Sequence, residues 1–413
     1  MSNRRNNNRT DDSTTSELSI SDSLKSLILN TVNATREFFE FTDEDQRNSS
    51  PEVILRRMLS TKSAISTNSS LAEANQRARD DAALKKFSNI GQGQCGTIFA
   101  LKGTTLVAKL PNSSGKEDEL FTDFQMHRLV YDAFAVFTSL CKDIHVPQAE
   151  AWIDPQSTEF WKDNAALFPA VVKTPNYGLL SERIWPLPFP VREAIVDALC
   201  PKTVKDNKSD FLKRPENKDC LVRLYMGRRN DSRKMEARNV RLRNFPLHVD
   251  EMERLRLDTR SFAMTIAKSL AVLHWKAGVD ANDVEFVLGS RPQIAGKPTV
   301  EDVLTANKDT AADLYLTDFN HRTLSLWLLD FNQCKPFEHS AAGVSKLVEA
   351  FWFNDPYYPR PIATNKADKD LWDVFQAHYL EISTELTNTP GPKMFIEAVI
   401  AKGKARSGGS MFG

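Results

Sequence analysis

A glycine-rich segment between two β-rich runs limits the folds open to this chain. Residues 91–96 read Gly-Gln-Gly-Gln-Cys-Gly and fit the pattern G-x-G-x-x-G. In a dinucleotide-binding fold, a helix follows these glycines. Here the β-rich run 97–101 follows them, and residues 102–104, Lys-Gly-Thr, predict a hairpin turn before a further run at 106–110. The order therefore argues against the dinucleotide-binding fold and predicts antiparallel strands.

Two later segments place carboxylates beside apolar stretches. A helix is predicted to begin at the cap residue Asp258 and to end at Gly278, and Asp280 and Glu285 follow it just before an apolar run. Asp330 comes directly after another apolar run. Carboxylates at strand ends are often functional groups, whereas a loop cap or a turn former is the structural alternative for both Asp280 and Asp330.

The order of these segments resembles that of protein kinases. The resemblance implies that glycine backbone amides approach the phosphates of a nucleotide and that a lysine contacts them; a plain hairpin with an exposed lysine is the alternative. It also implies a catalytic base, two Mg²⁺ ligands and a hinge whose backbone holds adenine. The residues in those places are Gly91, Gly93 and Gly96 for the phosphates, Lys109 as the lysine, Asp280 as the base, Asp330 and Glu285 as the metal ligands, and Glu182 and Ile184 in the hinge.

Several positions depart from the kinase pattern. Gly278 and Val279 stand where kinases have His and Arg, Glu285 replaces the metal-binding Asn, and Asn332 replaces the glycine of the D-F-G motif. Glutamate is an oxygen ligand that Mg²⁺ accepts, so metal binding is still expected. Efficient phosphorylation of a peptide is not expected.

The acidic partner of Lys109 stays open at this point. A helix is predicted over about 117–136. Alignment with the kinase pattern Glu-x-x-x-Leu puts Gln125 at the pairing position, and Glu119 and Asp123 lie a turn or so away.

The stretch from 87 to about 380 also resembles a fungal family of unknown function that is often labelled zinc finger protein. The segments that carry this resemblance are 182–188, 242–247, 274–288, 329–331 and 354–361. The family implies no activity. Cys141 and His145 are four residues apart, as zinc ligands can be, but a structural zinc site has four ligands and no second pair stands out. No zinc is expected.

The predicted fold is α+β with the two lobes of a protein kinase, a β-rich small lobe and a helical large lobe. The 413-residue chain divides into a mostly disordered leader with short helices at 1–84, the small lobe at 85–185, the large lobe at 186–400 and a flexible tail at 401–413. Residues 202–243 form a basic insert with fourteen Lys and Arg against six acids. A solvated insert and a site for an acidic or nucleic-acid partner are the two interpretations.

Charge and hydropathy narrow the partners further. Lys+Arg and Asp+Glu both number 54, so no overall field attracts nucleic acid or a membrane. The N-terminus has no secretory core and no stretch reaches about 18 apolar residues, which predicts an intracellular protein, cytoplasmic or nuclear. The odd number of widely spread cysteines predicts free thiols. A protein partner is expected to use the leader or the basic insert, and neither nucleic acid nor a membrane is expected as a partner.

The predicted function is the binding of a nucleotide and Mg²⁺, with ATP as the expected nucleotide. The protein is then either a degenerate phosphotransferase or a pseudokinase that uses the fold to bind a partner. The alternative is a non-catalytic regulatory scaffold that binds neither nucleotide nor metal.

Overall fold

The computed structural model of the protein describes residues 39–41, 43–61, 63–66, 69–230, 236–294, 300–308, 311 and 317–408. Two compact units are distinguished, 1–40 and 41–413. The beginning of the predicted leader, 1–38, and the end of the predicted tail, 409–413, lie outside the described residues.

The described chain is a mixed α/β protein with curled sheets. The strands are β1 Phe39–Phe41, β2 Ser63–Ser66, β3 Phe87–Gln92, β4 Gly96–Leu101, β5 Leu106–Pro111, β6 Ile144–His145, β7 Ala149–Ile153, β8 Gly178–Glu182, β9 Val222–Tyr225, β10 Phe245–His248, β11 Glu285–Ile294 and β12 Thr317–Leu329. The α-helices are α1 Asp43–Arg47, α2 Pro51–Met58, α3 Ser70–Asp80, α4 Glu117–Val136, α5 Thr158–Asn164, α6 Phe189–Leu199, α7 Lys202–Lys205, α8 Lys208–Lys213, α9 Val249–Arg254, α10 Thr259–Val272, α11 Val300–Thr305, α12 Ala341–Phe353, α13 Lys366–Leu386 and α14 Gly391–Gly408.

The first sheet has the strand order β3-β4-β5-β8-β7 and is antiparallel throughout. The predicted hairpins on both sides of β4 are therefore confirmed. Its register places Lys109 opposite Ile98 on one side and Leu179 on the other. Helix α4 packs on this sheet, where Leu120 is fully buried against Leu179.

The second sheet runs in the order β2-β12-β11-β9-β10, and β6 pairs with β12. Strands β11 and β12 are antiparallel and place Glu285 opposite Leu329, the residue before Asp330. Strands β9 and β10 are parallel. Helices α10, α12, α13 and α14 contribute to the large hydrophobic core that also includes this sheet.

The segment after β8 connects the two sheets. Trp185 N donates to Ser290 O over 3.0 Å, and Ser290 N donates back to Trp185 O over 2.8 Å. Trp185 is fully buried, with the guanidinium of Arg183 over its ring at 4.2 Å. These contacts fix residues 182–186 between strands of both sheets.

The predicted leader reaches too far, because its second half packs into the fold. Helix α2 packs against α6, and Leu55 and Met58 are both fully buried. Helix α3 supports the turn between β4 and β5: Gly103 N donates to Asn75 Oδ1 over 2.9 Å, and a Cβ on Gly103 would lie 2.5 Å from the backbone of Ala78. The composition of this stretch is polar, but its few apolar residues are concentrated on one face of each short helix.

Two other predicted boundaries also differ. The basic segment 202–243 is more than a solvated insert, because β9 lies within the second sheet and buries Val222 and Leu224 completely. The tail predicted from 401 is helical as far as Gly408, since α14 continues through it. Of the described helices, none has the length and apolar composition needed to cross a membrane.

Truncating Leu55 tests whether α2 belongs to the core. Leu55→Ala removes a fully buried side chain, and we expect the free energy of unfolding to fall by about 2–5 kcal/mol in urea titrations. Leu84→Ala is the matched control, because Leu84 is 41% exposed and should change stability by less than about 0.5 kcal/mol. Equal, small effects of both substitutions would contradict the packing of α2.

Candidate functional site

A cavity of about 230 Å³ lies where the two sheets meet. Its lining combines glycines of β3 and the following turn, residues of β5, α4 and the segment after β8, and acidic residues at the ends of β11 and β12. Of the site residues predicted from sequence, the cavity is lined by Gly91, Gly93, Lys109, Glu182, Ile184, Glu285 and Asp330, and its lining does not include Gly96 or Asp280.

The glycine turn forms one wall of the cavity. Gly93 N donates to Gly96 O over 2.8 Å, and Asn112 Nδ2 donates to Gly93 O over 2.8 Å, so the turn has a fixed conformation. Gly96 serves packing: a Cβ there would lie 2.8 Å from Cγ of Lys109 and 2.9 Å from the carbonyl oxygen of Leu110. The absence of a side chain at 96 therefore allows the stem of Lys109 to lie against the turn.

Lys109 forms a buried ion pair with Asp123 of α4. Lys109 Nζ donates to Asp123 Oδ2 over 2.6 Å, and the two side chains are 13% and 4% exposed. Burial works against the charged ammonium, but the carboxylates of Asp123 and Asp330 overcome it and hold the pKa of Lys109 above its ordinary value. The structure thus answers the question left open by the sequence: the acidic partner is Asp123.

Asp330 presents a carboxylate with no direct partner. It lines the cavity and makes no hydrogen bond or ion pair with any residue that the structure describes. Its backbone has φ 66°, a left-handed conformation that an aspartate tolerates better than most residues. Burial raises the pKa of Asp330 to about 6, and Lys109 opposes this increase.

Glu285 is already engaged by a cation. It forms an ion pair with Arg223 of β9 inside the cavity lining. Burial raises the pKa of Glu285 to about 7 although Arg223 lowers it, and the nearby Asp330 and Asp283 add to the increase. Glu285 is therefore close enough to Asp330 to interact with it electrostatically, but any metal would compete with Arg223 for its oxygens.

Asp280 has the structural role of holding a loop. Its Oδ1 accepts from the backbone N–H of Asn282 over 3.1 Å and of Lys335 over 2.9 Å, and its own N–H donates to Lys335 O over 2.9 Å. Burial raises its pKa, and these amide hydrogen bonds oppose the shift. The loop-capping alternative considered for Asp280 matches these contacts.

Asp283 was not singled out from the sequence, but it interacts with the acidic residues of the cavity, whereas Asp280 does not. It has φ 62°, accepts from Gln333 Nε2 over 2.6 Å, and acts electrostatically on both Asp330 and Glu285. Its position three residues after Asp280 was the only signal in the sequence. Ala281 and Asp283 both have left-handed backbone in this loop, with φ 57° and 62°.

Two arginines of the basic segment were missed as well. Arg223 and Arg243 both line the cavity, and the Nε of each is buried with no hydrogen-bond partner in the described part of the chain. The local excess of positive charge in 202–243 was the available signal. The sequence leaves a solvated insert and a site for an acidic or nucleic-acid partner as the two interpretations, and nothing in it shows that β9 borders the cavity.

The segment after β8 supplies a backbone edge to the cavity. Glu182 lines it, with its carboxylate bound to Arg291 Nε at 3.0 Å. Ile184 also lines it, and its backbone N–H and C=O have no hydrogen-bond partner among the described residues.

Metal-ligating side chains do not form a complete protein site in the described part of the chain. No group of three or more His, Cys, Asp or Glu residues is placed there to hold a metal ion. All five cysteines are buried and free, as the sequence predicted for their oxidation state. Mg²⁺ differs from zinc in this respect, because it is commonly held by one or two carboxylates together with phosphate oxygens.

The chain matches one described protein family over part of its length. Residues 326–391 match a domain of unknown function with the description "Zinc finger protein". This stretch contains Asp330 and confirms that part of the family resemblance stated from the sequence. A search of curated proteins found no match.

The raised pKa of Asp330 predicts a pH-dependent stability. The folded protein binds a proton at Asp330 with a pKa of about 6, whereas the ordinary pKa of an aspartate is 3.8. The contribution of Asp330 to the free energy of unfolding is therefore fully present below about pH 4 and is lost as the pH rises through about 6. In metal-free buffer, Asp330→Asn should gain stability over the wild type between about pH 4 and about pH 7.5, by on the order of 1–3 kcal/mol.

Urea unfolding of both proteins across this pH range measures the difference. Asp132→Asn is the control, since Asp132 is an exposed partner of Arg128 on α4. A stability difference between Asp330→Asn and the wild type that does not change with pH would contradict the burial of an uncompensated carboxylate.

Proposed function

We propose that this chain is a protein-kinase-like protein that binds ATP and Mg²⁺ in the cavity under the glycine turn. In this proposal the first sheet with α4 is the small lobe, and the second sheet with its surrounding helices is the large lobe. The observation that carries the proposal is the buried Lys109–Asp123 pair beside the unpartnered carboxylate of Asp330. A lysine held charged at the end of a cavity, next to a free carboxylate, is suited to a phosphate group with a bound cation.

Each part of the nucleotide has a corresponding part of the cavity. The backbone of Ile184 is suited to the adenine ring, and the glycine turn at Gly91 and Gly93 leaves room for phosphates close to the backbone. Lys109 would neutralise the phosphates. Asp330 would hold Mg²⁺, which shields the charge between phosphate oxygens and carboxylate; Glu285 could join it only by leaving Arg223.

Binding without phosphate transfer is the favoured form of this function. A general base must reach the proton that it accepts. Asp280, which the sequence placed in that role, has its Oδ1 occupied by two backbone amides and does not line the cavity. This supports a pseudokinase over a degenerate phosphotransferase. The non-catalytic scaffold that binds no nucleotide remains the rival class.

Thermal stability in the presence of nucleotide tests the proposal. ATP with Mg²⁺ at about 100 times its dissociation constant should stabilise the wild-type protein by about 2.7 kcal/mol. Asp330→Asn should abolish the part of this stabilisation that depends on Mg²⁺. Asp280→Asn is the matched control: an asparagine Oδ1 still accepts from the same two amides, so nucleotide affinity should not change.

The outcomes separate the three functions. If ATP with Mg²⁺ or Mn²⁺ does not stabilise the wild-type protein, the non-catalytic scaffold that binds no nucleotide becomes the assigned function. Stabilisation with no ATP turnover would identify a pseudokinase. Turnover that falls by roughly 10²–10⁴ in Asp280→Asn would restore the base role of Asp280 and contradict the assignment made here.

A further inference from the structure

A second and larger cavity, of about 980 Å³, opens beside the candidate site. It is bordered by α3, β3, α6 and α8 and contains none of Lys109, Glu285 or Asp330. We call it the basic groove, because two carboxylates, Glu193 and Asp219, face seven cationic side chains across it. Those cations are Lys86, Lys102, Arg183, Arg192, Lys208, Lys213 and Lys218.

Several of these cations have no internal counter-charge. Lys208 is paired with Asp197 at 2.9 Å, and Arg183 with Asp219 at 3.3 Å. In the part of the chain that the structure describes, Lys86, Lys102 and Lys218 form no ion pair with a carboxylate. The groove therefore keeps a positive potential that the protein itself does not neutralise.

Buried guanidinium groups in the groove also have unused hydrogen-bond donors. Arg183 is 4% exposed, and its Nε has no partner within the described residues. The Nε of Arg192 has none either, while another nitrogen of Arg192 donates to Asn217 O over 2.9 Å. A buried donor without a partner is costly. Because both Nε atoms are closed to solvent, these guanidinium groups add positive charge to the wall of the groove and are not contact atoms for a ligand.

Apolar side chains lie among these charges. The lining includes Leu71, the buried side chains of Phe87 and Leu212, and Phe189, which is 41% exposed and is the apolar side chain most open to a ligand. The guanidinium of Arg192 lies 5.1 Å from the Phe189 ring and covers one side of it. Single-stranded nucleic acids need several free aromatic faces for stacking, whereas an amphipathic peptide needs apolar contacts between charged ones. The groove has the second pattern.

We propose that the basic groove docks an acidic peptide segment of a protein partner, with an apolar side chain of that segment against Phe189. Charge complementarity selects the carboxylates of the segment and orients it along the lysines. The proposal does not depend on nucleotide binding, since the residues that carry it lie outside the candidate site. It gives a specific role to positive charge around residues 202–218, which the nucleotide-binding proposal leaves unused.

Fluorescence polarisation with the full chain tests this docking site. The probe is a fluorescein-labelled peptide in which Leu-Glu-Asp repeats four times, and the control peptide repeats Leu-Gln-Asn. We expect the acidic probe to bind and the neutral one not to, with affinity falling as salt rises from about 50 to about 300 mM. Lys86→Glu combined with Lys218→Glu should weaken binding by roughly tenfold or more.

Matched variants separate docking from general charge effects. Lys346→Glu combined with Lys369→Glu introduces the same charge change at exposed positions of α12 and α13 and should leave probe binding unchanged. Phe189→Ala should weaken binding of the acidic probe without altering its salt dependence. Circular dichroism and the melting temperature of each variant verify folding.

Three results would overturn the proposal. They are equal binding of the neutral peptide, equal loss of binding in the Lys346→Glu/Lys369→Glu control and in the Lys86→Glu/Lys218→Glu variant, and absence of binding at low salt. Tighter binding of single-stranded oligouridine than of the acidic peptide, sensitive to the same lysines, would replace the peptide by nucleic acid as the occupant.

Discussion

The buried ion pair between Lys109 and Asp123 organises the candidate site. It joins the central strand of the first sheet to α4, and Gly96 is needed for the lysine stem to lie against the glycine turn. Removing either partner would leave an uncompensated buried charge, which typically costs about 3–5 kcal/mol. The pair also holds the Lys109 ammonium near the Asp330 carboxylate. The position of α4, which carries Asp123, therefore determines where this positive charge lies in the cavity. Fold and candidate function therefore depend on the same contact.

Local sequence signals predicted much of the architecture. Asp258 caps α10 and Gly278 ends the following π-helical turn in a left-handed conformation, because both positions are governed by hydrogen bonds within a few residues. The glycine turn and the strand that carries Lys109 were predictable from β-rich runs and turn residues. The partner of Lys109 was not, since several side chains of α4 lie within a turn of each other and only tertiary packing selects Asp123. Likewise, nothing in the local sequence shows that Asp283, and not Asp280, acts electrostatically on Asp330.

Departures from the kinase pattern have structural consequences in the same region. Asn332 stands where kinases have glycine, and its side chain donates to Gln94 of the glycine turn over 3.4 Å, while Gln333 donates to the same oxygen over 3.0 Å. The turn is thereby tied to the segment that follows Asp330. Arg223 forms an ion pair with Glu285, the residue that stands in place of the metal-binding Asn of kinases.

Hydrogen–deuterium exchange with and without ATP and Mg²⁺ tests the central claim most directly, because it locates the ligand as well as detecting it. The account predicts slower exchange of backbone amides at Gly91–Gly93 and at Ile184, where the described structure gives the Ile184 N–H no partner, and unchanged exchange in α14. No protection at these amides at a nucleotide concentration that stabilises the protein, or protection confined to other segments, would contradict nucleotide binding in this cavity.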